Sequence, residues 1–78
     1  MSEKDILKKL YDGVLGGAMD STAEAAQEAI DAGIAPLKAI DDGMSPAIQE
    51  VGERFGRGEM FLPEMVSSAD AMEAALAV

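Results

Sequence analysis

Val51-Gly52-Glu53-Arg54-Phe55-Gly56-Arg57-Gly58-Glu59-Met60-Phe61-Leu62-Pro63-Glu64 reads as the end of one helix, a turn punctuated by glycine, and the start of a second helix. Gly56 and Gly58 stop the first helix, and Pro63 fits the first turn of the second, where its missing amide hydrogen does no harm. So short a connection folds the second helix back on the first. Its composition is unusual. Connections face water and are normally polar, yet Phe55, Met60, Phe61 and Leu62 crowd around this one. Such a cluster is expected to cover something.

Working upstream, Leu37, Ile40, Met44, Ile48, Val51 and Phe55 follow one another at spacings of three and four, the pattern of a helical apolar face. Pro36 opens this helix. Pro46 interrupts it, removing one backbone hydrogen bond and crowding the carbonyl four residues earlier. Either the helix kinks there or two helices meet near Gly43-Met44-Ser45. The stripe keeps its phase through the proline, which favours one long kinked helix.

Further upstream, a helix is predicted from about Thr22 to Ala32, with Ser21 and Glu24 as a capping box. Ala25, Ala26, Ala29 and Ile30 form its inward face, and Gly33 takes the residue just past its end. The first helix is predicted from about Glu3 to Leu15. Ser2 caps it, Ile6, Leu7, Leu10, Tyr11, Val14 and Leu15 form its apolar face, and Gly16-Gly17 stops it. Gly13, within its last turn, has no role legible in the sequence. Downstream, Met65, Ala69, Met72 and Leu76 form the stripe of a fourth helix. No C-cap glycine precedes Val78, so the chain reads as the edge of a longer protein, a fragment or truncated form. No β pattern occurs. The predicted fold is all-α, a small four-helix bundle of antiparallel helices forming one domain over residues 1–78.

Composition narrows the function. The chain has 78 residues, 15 acids against 6 bases and a formal charge of -9, which disfavours nucleic acid and anionic membranes. No apolar run approaches the roughly 20 residues that span a bilayer. No signal peptide is legible at the start, so a cytoplasmic location is the default. With no cysteine and no histidine, neither a disulfide nor a zinc site is available for stability. A single core this small gives roughly 3–5 kcal/mol, which makes a homodimer of the isolated chain a reasonable expectation. Asp41-Asp42 and Glu50 with Glu53 lack the spacing of a calcium loop and read as solvated helix faces. No nucleophile–base pair is present, so no catalytic or metal-ligating residue is assigned.

Three features together carry a resemblance. They are the small-residue helix ending at Gly33, the helix ending Val51-Gly52-Glu53-Arg54-Phe55, and Gly58-Glu59-Met60-Phe61-Leu62-Pro63-Glu64 leading into a helix rich in methionine and alanine. From about Ile6 to Leu76 the chain resembles the N-terminal helical cap domain of corrinoid (cobalamin) methyl-transfer proteins. That family spans the cobalamin-binding module of methionine synthase and the corrinoid proteins of methanol and methylamine methyltransferase systems. The resemblance implies a lid over the upper face of the corrin ring that shields the methyl-bearing cobalt and swings away for methyl transfer. It implies that Phe55, Leu62 and Met65 contact the cofactor. It implies as partners a Rossmann-like cobalamin-binding domain and methyltransferase subunits. The Asp-x-His-x-x-Gly motif of that second domain is absent, so the chain is expected to be an accessory domain, not an enzyme, and to hold cobalamin weakly or not at all alone.

Two other readings stand beside it. By pattern alone, Phe55, Leu62 and Met65 are ordinary packing of a helical pair, or the interface of a standalone module that self-associates through Phe61 and Leu62. Asp20-Ser21 at a helix start is reminiscent of the phosphopantetheine serine of small acidic acyl carrier proteins. Thr22 in place of leucine and the capping role given to Ser21 favour a plain helix cap.

Overall fold

The computed structural model describes residues 2–78. Its helices are α1 (Glu3–Gly16), α2 (Met19–Asp31), a three-part α3 and α4 (Leu62–Leu76). In α3, Pro36–Ala39 leads into a π-helical turn, Ile40–Met44, and then Ser45–Gly56, with no break in the helical path. The described residues contain no strand. The all-α four-helix expectation holds.

Each helix forms for local reasons. The Ser2 hydroxyl accepts the Asp5 amide at 3.2 Å, capping α1 as expected. At the end of α2, Gly33 has φ 77°. Its amide reaches the Ile30 carbonyl at 3.1 Å and the Ile34 amide reaches Ala29 at 2.9 Å, the paired bonds of a Schellman end. The proline in α3 is absorbed by widening the helix. The Ser45 amide bonds to Ile40, five residues back, so the turn just before Pro46 is π-helical. One continuous helix with a π turn is therefore the outcome of the choice left open between a kink and a break.

Residue pairs fix the helix directions. Gly13 lies against Thr22 and Lys9 pairs with Glu28, so α1 and α2 run antiparallel. Lys38 pairs with Glu3, and Gly43 lies against Leu10, so α1 and α3 run parallel. α1 touches all three other helices. Its Ile6, Leu10 and Val14 form the centre of the core, with Ala25, Ala26, Ala29, Met44, Ala47 and Ala75 packed around them.

Gly13 now has a reason. A Cβ at this position would run into the Thr22 hydroxyl, with the Thr22 Cβ only 3.2 Å away. That hydroxyl donates to the Ala18 carbonyl, so a buried threonine is satisfied at a tight contact between the two helices.

Several sequence expectations are corrected. α2 starts three residues early, at Met19, with Ala18 as a cap that makes no side-chain bond. Ser21 therefore lies inside the first turn and no Ser21–Glu24 capping box exists. Ile30 and Leu37 are exposed, not inward. The buried positions of α4 are Ser68, Ala71 and Ala75, while Met65 and Met72 are half-buried and Ala69 and Leu76 exposed. The stripe on α4 was read one flank away from the face that the bundle covers. No helix among the described residues is long and apolar enough to cross a membrane.

Candidate functional site

The α3–α4 connection is ordered by backbone bonds on both sides. Gly58, with φ 76°, lets its amide reach Phe55 at 3.1 Å, and the Glu59 amide reaches Arg54 at 2.8 Å. A left-handed conformation is favourable there only for glycine. At the other side the Phe61 carbonyl accepts the Glu64 and Met65 amides at 3.1 and 3.2 Å. The Glu64 carboxylate accepts the Phe61 amide at 3.3 Å, which caps the first turn of α4 where the helix macrodipole favours an acid. Pro63 occupies that first turn, as the sequence led one to expect.

Charged side chains brace the same segment. Glu50 accepts Arg54 Nε at 2.8 Å and Arg57 Nη2 at 3.3 Å, while Arg57 Nε donates to Glu59 at 2.8 Å. Arg57, within the turn, is thereby tied both to the shaft of α3 and to the chain beyond it. Arg54 holds the Glu50 carboxyl below the usual carboxylate range, with Arg57 adding to the effect. Arg57 does the same for Glu59, and Glu59 in turn raises Arg57. The sequence suggested that Glu50 and Glu53 form a solvated acid cluster. Glu50 is instead one arm of this network. Its i, i+4 spacing to Arg54 was a legible signal of that pairing.

The apolar residues of the connection are presented outward. Phe55, on the last turn of α3, is 43% exposed, Phe61 72% and Leu62 61%. Met65 is half-buried, and Met60 is buried. Leu62, Met65 and Val66 share a face of α4 by their spacing of three and four. The three residues singled out in the sequence therefore lie at one end of a packed helix pair, Phe55 on one helix and Leu62 and Met65 on the other. Val66, 52% exposed, extends this face and was missed. Its signal was the four-residue step from Leu62.

This arrangement can make apolar contact and exclude water; it offers no nucleophile, base or metal donor. Among the described residues, no group of three or more acids, histidines or cysteines could hold a metal ion. Ser21 is exposed in the first turn of α2.

Comparison with known proteins identifies the family. A family model described as a B12 binding domain matches residues 6–78. Monomethylamine corrinoid protein 1 of Methanosarcina acetivorans is 42% identical over 78 residues, which is 100% of this chain and 36% of that protein. Trimethylamine corrinoid protein 1 of the same organism is 38% identical, over 99% of this chain and 36% of its own length. The solved structure of the Methanosarcina barkeri monomethylamine corrinoid protein matches with a TM-score of 0.94 and 34% identity, over 99% of this chain and 36% of that one. The chain thus spans about a third of the length of the relatives it matches. It belongs to the B12 binding domain family and is homologous to the helical cap domain of the Methanosarcina methylamine corrinoid proteins.

Proposed function

We propose that this chain is the cap of a corrinoid methyl carrier, with Phe55, Leu62 and Met65 laid over the upper face of cobalamin. The supporting observation is the outward presentation of Phe55 and Leu62, with Met65 half-buried beside them, at a braced helix junction. Isolated large apolar side chains on a surface need no explanation. A set of them gathered at one helix junction does. The fit is to a covering role. Aromatic, aliphatic and thioether groups suit the apolar face and edge of a planar ring, and the chain has no histidine or cysteine to offer a metal.

Bound cobalamin would supply the cobalt that carries a methyl group between donor and acceptor. The residues of this chain act around it. Phe55, Leu62 and Met65 exclude water from that face. The Arg57 bridges hold the connection in shape. The cap acts as an accessory domain and not as an enzyme. It works in the cytoplasm beside a Rossmann-like cobalamin-holding domain and the methyltransferases that load and unload it. The test is to combine this chain with the cobalamin-holding domain of a methylamine corrinoid protein and follow oxidation of the reduced cofactor. Phe55→Ala and Leu62→Ala are expected to speed oxidation. Unchanged rates in both variants would end the assignment of these residues.

Exposure of Phe61 and Leu62 also favours a second reading, a homodimer formed by the isolated chain through this face. It ranks second because α4 carries Glu64, Asp70 and Glu73 and no cation, so two copies facing through α4 bring like charges together. Sedimentation of the free chain across concentrations separates the two.

A further inference from the structure

α4 buries small residues and displays several large ones. Ser68, Ala71 and Ala75 face the bundle, whereas Leu62, Val66 and Leu76 are 61%, 52% and 52% exposed. The outward set does not stop at the α3–α4 junction. Leu62, Val66, Ala69, Glu73 and Leu76 fall on one flank at steps of four, three, four and three, an outward row that is apolar except for the exposed Glu73 within it. From Leu62 to Leu76 this flank is about 21 Å long at 1.5 Å per residue. That is longer than one planar ring lying at the first turn can cover. At its far end the flank opens into a cavity of about 160 Å³ lined by Ile30, Ile34, Ile40, Met44 and Leu76.

Charge selects the occupant. Glu73 lies within the flank and Asp70 borders it, and residues 58–78 contain no lysine or arginine. The nearest cations in sequence, Arg54 and Arg57, are engaged by Glu50 and Glu59. A second copy pairing α4 with α4 would set these acids against each other, in a chain whose charge is already -9. We infer that the flank of α4 beyond its first turn, from Val66 to Leu76, is a docking surface for a protein partner that presents apolar side chains on a helix-length face together with a lysine or arginine to meet Glu73. This rests on the cap reading and extends it. The ring meets the first turn of α4, and protein covers the rest.

The test uses the 78-residue chain and two amphipathic helical peptides of about five turns, one of leucine and lysine and one of leucine and glutamate. Amide resonances are followed during titration. The Leu/Lys peptide is expected to shift Val66, Ala69 and Leu76, and the Leu/Glu peptide to leave them in place. A Val66→Asp, Leu76→Asp variant is more acidic but less apolar, and is expected to bind the Leu/Lys peptide about tenfold more weakly, roughly 1.4 kcal/mol. Should that variant not fold by circular dichroism, Val66→Gln carries the same comparison. Equal or tighter binding by the variant would show attraction by charge alone and overturn the inference. So would equal binding of the two peptides, absence of binding by either, or a dimer of the free chain that these substitutions abolish. Phe55 is untouched here, so failure of this surface is distinguishable from failure of the cap assignment.

Discussion

α1 and α4 solve opposite problems with similar lengths of helix. α1 buries Ile6, Leu10 and Val14 and turns Lys4 and Lys8 to water. Each large apolar group removed from water is worth about 1.5–3 kcal/mol, so α1 supplies much of what holds the bundle. α4 buries Ser68, Ala71 and Ala75, which contribute little area, and leaves Leu62, Val66 and Leu76 largely uncovered. A helix apolar on more than one side is one meant to be covered on more than one side. The difference separates residues kept for the fold from residues kept for contact, although both sets look alike in composition.

The sharpest way to break this contrast is to remove a large side chain from each helix. Leu10→Ala, at a fully buried position, is expected to lower stability by about 2–5 kcal/mol through lost transfer energy and an unfilled cavity. Urea denaturation measures it. A loss similar to that of an exposed position would remove α1 from the centre of the core. Next comes Gly13→Ala. Its new methyl would strike the Thr22 hydroxyl where α1 packs on α2, and overpacking of this kind costs about 1–3 kcal/mol. Because alanine favours helix over glycine, a gain in stability would mean that the two helices separate easily at this point.

How far the sequence could be read follows from the same distinction. The helices, the Ser2 cap and the Gly33 end depend on local chemistry, and each was legible. So was the α3–α4 junction, because its apolar character contradicts what a connection needs. Three things were not legible, the first for want of a local signal and the other two because they depend on neighbours distant in the chain. The start of α2 lacks a capping side chain, so Ser21 drew the boundary three residues late. Gly13 makes sense only with Thr22 opposite it. The buried flank of α4 is made of alanine and serine, which carry a weak periodic signal, so the larger methionines and leucines beside it were read as the inward stripe. The position of Phe55, Leu62 and Met65 at the joined ends of two helices was legible from the α3–α4 turn. The extension of that face to Val66 and Leu76 required knowing which side the bundle already covers.

Smaller effects sharpen the picture of α4. The Ser68 hydroxyl donates to the Leu15 carbonyl at 3.2 Å, a polar link between α4 and the end of α1. Ser68→Ala is expected to cost about 1 kcal/mol, the worth of one hydrogen bond whose acceptor is left behind. Leu62→Ala, by contrast, is expected to change stability by about 0.5 kcal/mol or less, because its side chain is already mostly in water. A loss near that of Leu10→Ala would mean that Leu62 belongs to the core after all. Measured together, these variants would place the boundary between fold and contact along a single helix.

The smallest expected effect concerns the bridges that brace the junction, since all of them are solvent-screened. Glu50 and Glu59 have folded-state carboxyls held below the ordinary range, chiefly by Arg54 and Arg57 respectively. A lowered acid contributes stability that is fully present above its unfolded value and is lost as pH falls through its folded value. Stability should therefore be level near neutrality and decline only as pH drops through and below the ordinary carboxylate range. Arg57→Gln removes the cation shared by both acids and should make that decline shallower, with little change at neutral pH. Urea midpoints of the two proteins across an acidic pH series read the difference, and added salt should shrink it. Parallel curves would mean that the Schellman bonds at Gly58 hold the junction unaided. The braced presentation of Phe55 and Leu62 would then be a property of the backbone alone.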